Sequence, residues 1–117
     1  MLKDDWIYIE HMLDISQKAL DFTSGLGKAD YDLDEPLRLA LTHLVQMLGE
    51  AARQVSPTLR EAYPEIPWHE IVGMRHRIVH DYLNVDEDVV WEVVRQDLPM
   101  LVVTLKKIIP PKDRENS

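Results

Sequence analysis

The chain has 117 residues, no cysteine and a formal net charge of −8 at pH 7. Its length suits one domain with a single core, and the absence of cysteine excludes disulfides, thiol nucleophiles and thiolate metal sites. The negative charge argues against a surface that binds nucleic acid generally, but it leaves room for a local basic pocket.

Two amphipathic helices are predicted in the first half of the chain. Apolar residues recur at helical spacing from Asp4 to about Ser24, and Gly25-Leu26-Gly27 ends that helix. A polar, acidic link covers residues 30–35, and Pro36 suits the start of the second helix. The apolar seam of the second helix consists of Leu37, Leu41, Leu44, Leu48, Ala51 and Val55. Gly49 lies inside this helix, where glycine costs about 1 kcal/mol relative to alanine, so we expect a neighbouring helix to approach closely there.

The middle of the chain contains a short helix and then a longer one. Ser56 is a suitable cap for one short turn of helix over residues 57–62. Pro67 suits the first position of a third long helix, which we expect to run to about Leu83. Asn84 follows as a left-handed stop, because asparagine tolerates a positive φ better than most residues.

The last helix completes a bundle. Asp86 is a suitable cap for it, and Pro99 inside it predicts a kink with a freed carbonyl near Arg95. Its apolar stripe consists of Val90, Val94, Leu98, Leu101 and Leu105. We therefore predict an all-α domain over 1–110, an up-and-down bundle of four main helices plus a short fifth. Residues 111–117 are expected to form a disordered tail.

The sequence carries no sign of a membrane or export segment. No apolar run approaches the roughly 20 residues that a membrane span needs. The chain starts with Met1-Leu2-Lys3-Asp4-Asp5, which lacks the apolar segment of a signal peptide. We therefore expect a cytoplasmic protein without a membrane partner.

Residues 73–82 concentrate the chemistry, with two arginines, two histidines and a tyrosine in a chain that is otherwise acidic. The apolar stripe of the predicted third helix consists of Ile71, Met74, Ile78 and Tyr82. Arg75 falls near the middle of that stripe, where an unpaired guanidinium would be costly to bury. Such a position indicates a functional or strained site. The alternative is a structural arginine, buried beside a carboxylate such as Glu50.

Three histidines, His69, His76 and His80, share a second stripe of the same predicted helix. Imidazoles one and two turns apart can share a metal ion. However, His69 lies about 10 Å from His76 along the helix axis, and no acid in the stripe completes a set of ligands. We therefore favour a site without a metal.

The spacing Arg75-x4-His80-x-Tyr82 resembles the signature of the HEPN superfamily, and within it the chain resembles the HepT-like toxin branch. The flanking segments agree in order and spacing, and they are Gly49-Glu50-Ala51-Ala52, Val85-Asp86, Val90-Trp91 and Asp97-Leu98-Pro99. The resemblance runs from about Trp6 to Ile109. A lone Arg-x4-His would be a weak signal, whereas the tyrosine and both flanks make this one fairly specific.

The resemblance implies a metal-independent endoribonuclease that needs no cofactor and acts as the toxin of a type II toxin–antitoxin system. It assigns catalysis to Arg75 and His80, and supporting roles to His76 and Glu50. RNA would be cleaved through attack of its own 2′-hydroxyl, with a 2′,3′-cyclic phosphate as product.

The family also implies two partners. It forms symmetric homodimers whose motifs face a shared cleft, and we expect helices two to four to form that interface. A minimal nucleotidyltransferase serves as antitoxin and transfers AMP to the tyrosine that corresponds to Tyr82. The alternative function is a non-catalytic HEPN subunit that binds nucleotide or docks in a nucleotidyltransferase complex. The net charge of −8 favours that alternative somewhat.

Overall fold

A computed structural model describes residues 3–81 and 83–110. The helices, in chain order, are α1 (Lys3–Phe22), α2 (Lys28–Asp32), α3 (Glu35–Gln54), α4 (Pro57–Ala62), α5 (Trp68–Val72), α6 (Met74–Ile78), α7 (Glu87–Glu92) and α8 (Leu98–Ile108). A π-helical turn, Val93–Asp97, joins α7 to α8, and a small antiparallel hairpin of β1 (Val79–Asp81) and β2 (Asn84–Val85) follows α6. The tail at 111–117 lies outside the described residues.

The predicted bundle is confirmed. Its four main helical segments are α1, α3, the pair α5–α6 and the continuous run from α7 through α8, and α1 packs on both α3 and α8. Fully buried side chains from these segments include Ile9, Met12, Leu41, Leu48, Ile78, Val94 and Leu105. None of the described helices is both long and apolar enough to cross a membrane.

The short fifth helix is α4, and it is tied to the start of α1. As predicted, the hydroxyl of Ser56 accepts a hydrogen bond from the amide of Leu59. The Asp5 carboxylate is 3% exposed, and it accepts hydrogen bonds from the Ser56 amide at 2.9 Å and from the Ser56 hydroxyl at 2.7 Å. Burying a carboxylate is costly unless it is hydrogen-bonded. The hydrogen bonds of Asp5 therefore tie α1 to Ser56, which lies 51 residues further along the chain.

The predicted third helix is too long and is interrupted. It begins at Trp68 after Pro67, breaks at Gly73 and ends at Ile78. The hairpin then begins, and the Asp86 amide donates to the Ile78 carbonyl at 2.7 Å. The prediction of a left-handed stop at Asn84 is also wrong, because Asn84 pairs with Asp81 in the hairpin and has no positive φ.

The hairpin replaces helix because residues of β1, β2 and the adjoining segments have other hydrogen-bond partners. The carboxylate of Asp81 accepts from the amide of Leu83 at 2.9 Å, a turn that competes with helical hydrogen bonding. Val79 is extended and pairs with Val85, as suits two β-branched residues.

Pro99 disturbs the last helix through a π-helical turn. Proline has no N–H to donate, so an upstream carbonyl loses its helical partner. The amide of Leu98 donates to the carbonyl of Val93, five residues back, instead of four. The predicted disturbance near Arg95 therefore takes the form of a wider turn over Val93–Asp97.

The predicted link at residues 30–35 is partly helical and well packed. Tyr31 of α2 is fully buried, its hydroxyl donates to the Glu87 carbonyl at 2.7 Å, and its ring lies 4.9 Å from that of Trp91. Burial raises the pKa of Tyr31 above its ordinary value, and the nearby Glu87 carboxylate raises it further. Tyr31 thus remains protonated in the folded protein at pH values where the unfolded chain ionises.

This pKa shift predicts a loss of stability at alkaline pH. The contribution is fully present below the unfolded value of about 10, and it decreases as pH rises from there toward the higher folded value. In Tyr31→Phe, we expect about 1 kcal/mol lower stability at pH 8 from the lost hydrogen bond, but a shallower decline above pH 10. Urea unfolding at pH 8 and at several pH values above 10 measures the free energy of unfolding of both proteins. A decline in Tyr31→Phe as steep as that of the wild-type protein would refute the assignment.

Candidate functional site

Arg75, His76 and His80 line one surface cleft at the junction of α6 and β1. The cleft has a volume of about 450 Å³, and its other lining residues are Arg53, Val72, Gly73, Val79 and Asp81. The two residues predicted to be catalytic and one of the two predicted to be supporting therefore share a single cleft.

The short helix α6 presents its polar side chains because its apolar ones are anchored. Met74 and Ile78 are 3% and 0% exposed, whereas Arg75, His76 and Arg77 between them face solvent. The helix ends at Ile78, so His80 is carried on a strand rather than on the next helical turn. The 140° separation that a continuous helix would impose on Arg75 and His80 does not apply.

The expectation that Arg75 lies within the buried stripe is wrong. Arg75 is exposed, and the alternative of a buried arginine paired with Glu50 is wrong as well, because Glu50 lies 3.7 Å from Arg53 instead. Within residues 3–81 and 83–110, Arg75 makes no ion pair and no side-chain hydrogen bond. Gly73 separates α5 from α6, and Arg75, two residues later, faces solvent.

Gly49 fixes the position of the cleft's backbone. A Cβ atom at Gly49 would lie 2.9 Å from the carbonyl oxygen of Ile71 and 3.4 Å from the Cβ of Met74. The first distance is too short for an unstrained contact, so α3 packs directly on the junction of α5 and α6. The predicted close approach of a neighbouring helix is confirmed.

His80 lies between a cationic cleft and an acidic one. On the second side, a cleft of about 380 Å³ is lined by His80, Val85, Asp86, Glu87 and Asp88. The Nε2 atom of His80 lies 3.8 Å from Oδ2 of Asp86, whose other oxygen caps α7 through the Val89 amide. The imidazole therefore has a carboxylate on one side and the positive charge of Arg53 and Arg75 on the other.

Glu50 lies outside the cleft but next to it. It lines a groove of about 580 Å³ between α1 and α3, together with Tyr8, His11 and Met47 among others. Its link to the cleft is Arg53, its partner one turn further along α3. Arg53 is not among the predicted site residues. Residues i and i+4 share a helix face, so Arg53 lies on the same face of α3 as Gly49. This spacing could have indicated that Arg53 lies near the segment that approaches Gly49.

The structure places His69 outside the cleft. His69 is exposed on α5 and is absent from the lining, so the three-histidine stripe does not form. In the described part of the chain, no group of three or more His, Asp and Glu side chains could hold a metal ion. Tyr82 lies outside the described residues.

The protein is a helical bundle with an arginine and two histidines in one open cleft. An arginine can bind an anion there, and a histidine beside it can transfer protons. A family model described as "Ribonuclease HepT-like" matches residues 12–108. This chain belongs to the HepT-like ribonuclease family.

Two relatives that align with this chain over most of their own length are named as ribonucleases. The "Probable ribonuclease HepT" of Thermococcus cleftensis is 29% identical over 101 residues, which are 86% of this chain and 92% of that protein. A protein of Caldanaerobacter subterraneus subsp. tengcongensis, named as a putative RNase, is 29% identical over 102 residues, which are 87% of this chain and 91% of that protein. No solved structure matches the chain. The family and these names support a ribonuclease.

Proposed function

We propose that this protein is a metal-independent endoribonuclease that acts in the cytoplasm as the toxin of a type II toxin–antitoxin system. The observation that carries the proposal is the shared cleft of Arg75, His76 and His80. Membership of the HepT-like ribonuclease family and the names of the relatives support it. The substrate is RNA, which supplies its own nucleophile.

In the proposed reaction, a base removes the proton of the RNA 2′-hydroxyl, and the 2′-oxygen attacks the adjacent phosphorus. The bond from phosphorus to the 5′-oxygen breaks, and an acid gives that oxygen a proton. The products are a 2′,3′-cyclic phosphate and a free 5′-hydroxyl. His80 exchanges protons, Arg75 binds the phosphate oxygens as charge builds on them, and His76 supports the phosphate with an N–H donor.

One cleft supplies one His80, whereas the reaction needs both a base and an acid. We propose that a symmetric homodimer brings a second copy of the motif to the same RNA. The interface would be formed by the segments predicted as helices two to four, which here are α3, α5–α6 and the run from α7 to α8. The proposed antitoxin is a minimal nucleotidyltransferase that transfers AMP to Tyr82, which would place negative charge near His80 and repel RNA.

The test is cleavage of labelled single-stranded RNA by purified protein in EDTA, with identification of the product ends. Wild-type protein should yield cyclic-phosphate ends, and His80→Ala should lower the rate by at least about 100-fold, as expected for loss of a general acid–base group. His69→Ala serves as the matched control, because His69 is exposed on α5 outside the cleft, and it should cleave at the wild-type rate.

Absence of cleavage by dimeric protein that is unmodified at Tyr82 would refute the ribonuclease proposal. The same cleft could still bind an anion, and the net charge of −8 disfavours general contact with RNA. That result would therefore favour a non-catalytic subunit that binds nucleotide or docks in a nucleotidyltransferase complex.

A further inference from the structure

We infer that Arg53 is a second RNA-binding arginine of the cleft, that it contacts the phosphate next to the scissile one, and that Glu50 orients it. The inference rests on the proposed function, since it takes RNA to be the ligand of the cleft. It adds a substrate contact from α3, a helix that lies outside the Arg-x4-His-x-Tyr signature.

Arg53 places positive charge on a separate wall of the cleft. It lines the same 450 Å³ cleft as Arg75 and His80, but it belongs to α3, whereas they belong to α6 and β1. The contact of Gly49 with Ile71 holds α3 against the junction of α5 and α6. Each of the two guanidinium groups, carried by different segments of the fold, can bind one phosphate of a strand.

Other arginines of the described chain are already engaged in the fold. Their partners are as follows: Arg38 donates to the Tyr31 and Asp32 carbonyls and pairs with Glu87, Arg60 donates to the Ala52, Arg53 and Val55 carbonyls, Arg77 pairs with Asp97, and Arg95 donates to the Thr23 carbonyl beside Trp91. None of these four lines the cleft. The side chains that bring full positive charge to it are Arg53 and Arg75.

The pairing of Arg53 with Glu50 leaves most of the guanidinium accessible to RNA. Their closest atoms, Nη2 and Oε1, are 3.7 Å apart, and the two side chains are 53% and 60% exposed. Exposed pairs of this kind contribute little net free energy. The other nitrogens of the guanidinium fork remain for a phosphate, while Glu50 restricts the rotamers of Arg53 from the neighbouring turn. Glu50 is thus a positioning residue, which accounts for its place beside the cleft rather than in it.

The experiment measures binding of a fluorescent, 2′-O-methylated single-stranded RNA, which lacks the attacking hydroxyl and is not cleaved. Arg53→Ala should weaken the Kd about fivefold to tenfold, as expected for loss of one charge-assisted contact. It should also reduce the slope of log affinity against log salt by about 0.7, the value for one phosphate of a single strand. Lys106→Ala makes the same change of charge on the exposed face of α8, and it should change the Kd less than twofold.

Two further variants separate positioning from charge. Arg53→Lys keeps the charge but loses the fork, so its Kd should fall between those of wild type and Arg53→Ala. Glu50→Gln removes a negative charge from the vicinity of the RNA, and electrostatics alone would tighten binding. If Glu50 positions Arg53, Glu50→Gln should instead weaken binding by about twofold to threefold.

Each result has a definite meaning. If Arg53→Ala and Lys106→Ala have equal Kd values and salt slopes while Arg75→Ala binds weakly, the inference is wrong and the proposed function stands. If wild-type protein does not bind the RNA, or Arg75→Ala binds like wild type, the proposed function itself fails. Tighter binding by Glu50→Gln would overturn the positioning role of Glu50 alone.

Discussion

Arg75→Ala is expected to lower kcat for RNA cleavage by about 10²–10³-fold, the usual effect of removing one preorganised donor to a developing charge. Arg75 faces the cleft, and within residues 3–81 and 83–110 it makes no ion pair that would occupy its guanidinium. Its fork can therefore bind two phosphate oxygens while negative charge builds on them. Arg75→Lys should lose most of the rate as well, because an ammonium cannot reproduce the bidentate geometry.

Arg77→Ala is the matched control for this experiment. Arg77 lies two residues further along the same short helix and is exposed, but it pairs with Asp97 at 3.4 Å and does not line the cleft. The two variants remove the same charge. Because Arg77 is outside the cleft and its exposed ion pair contributes little free energy, the kcat of Arg77→Ala should lie within about twofold of wild type. Equal losses in both variants would mean that general positive charge, and not a positioned guanidinium, supports cleavage.

Gly49→Val is expected to lower the free energy of unfolding by about 3 kcal/mol, near the upper end for overpacking a tight contact. Its first side-chain atom would lie 2.9 Å from the Ile71 carbonyl oxygen and 3.4 Å from the Cβ of Met74. Backbone cannot move aside as a flexible side chain can, so α5 and α6 must shift away from α3. Urea unfolding of purified variants measures the loss. The same shift should widen the cleft and weaken binding of the uncleavable RNA.

His43→Val is the control, since His43 is exposed on the same helix and the two residue types have similar helix propensities. It should change stability by less than about 0.5 kcal/mol, the usual range for surface substitutions. Gly49→Ala distinguishes the contact from propensity. In an open helix position it would stabilise by about 1 kcal/mol. Stabilisation of this protein by Gly49→Ala would show that α3 does not press on the Ile71 carbonyl.

Apolar periodicity and capping residues predict the structure correctly wherever a helix has one continuous buried face. The predicted seams of α3 and of the run from α7 to α8 are buried except at Leu37, which is partly buried, and the caps Ser56 and Asp86 accept the expected hydrogen bonds. Apolar periodicity and capping act within one or two turns, so they can be recognised from adjacent residues. The close approach at Gly49 was predictable for the same reason, because glycine inside a helix is otherwise unfavourable.

The segment after Ile78 shows where that reasoning fails. Val79 and His80 continue the helical spacing, but the chain forms a hairpin. Two hydrogen bonds support the hairpin: the Leu83 amide donates to the Asp81 carboxylate, and the Asp86 amide donates to the Ile78 carbonyl. The residues after Ile78 are compatible with a helix and with a turn. Which of the two forms depends on hydrogen-bond partners that helical periodicity does not describe.

The sequence by itself determined the fold class, the family resemblance and the residues that we propose bind a phosphate and move a proton. These depend on residue type and on spacing along one segment. Only the tertiary structure decided that Arg75 faces water, that Asp5 is buried against Ser56, and that Arg53 joins the cleft while Glu50 lies beside it. The contact of Asp5 with Ser56 and the position of Arg53 depend on which distant segments pack together, and helical periodicity does not describe such packing.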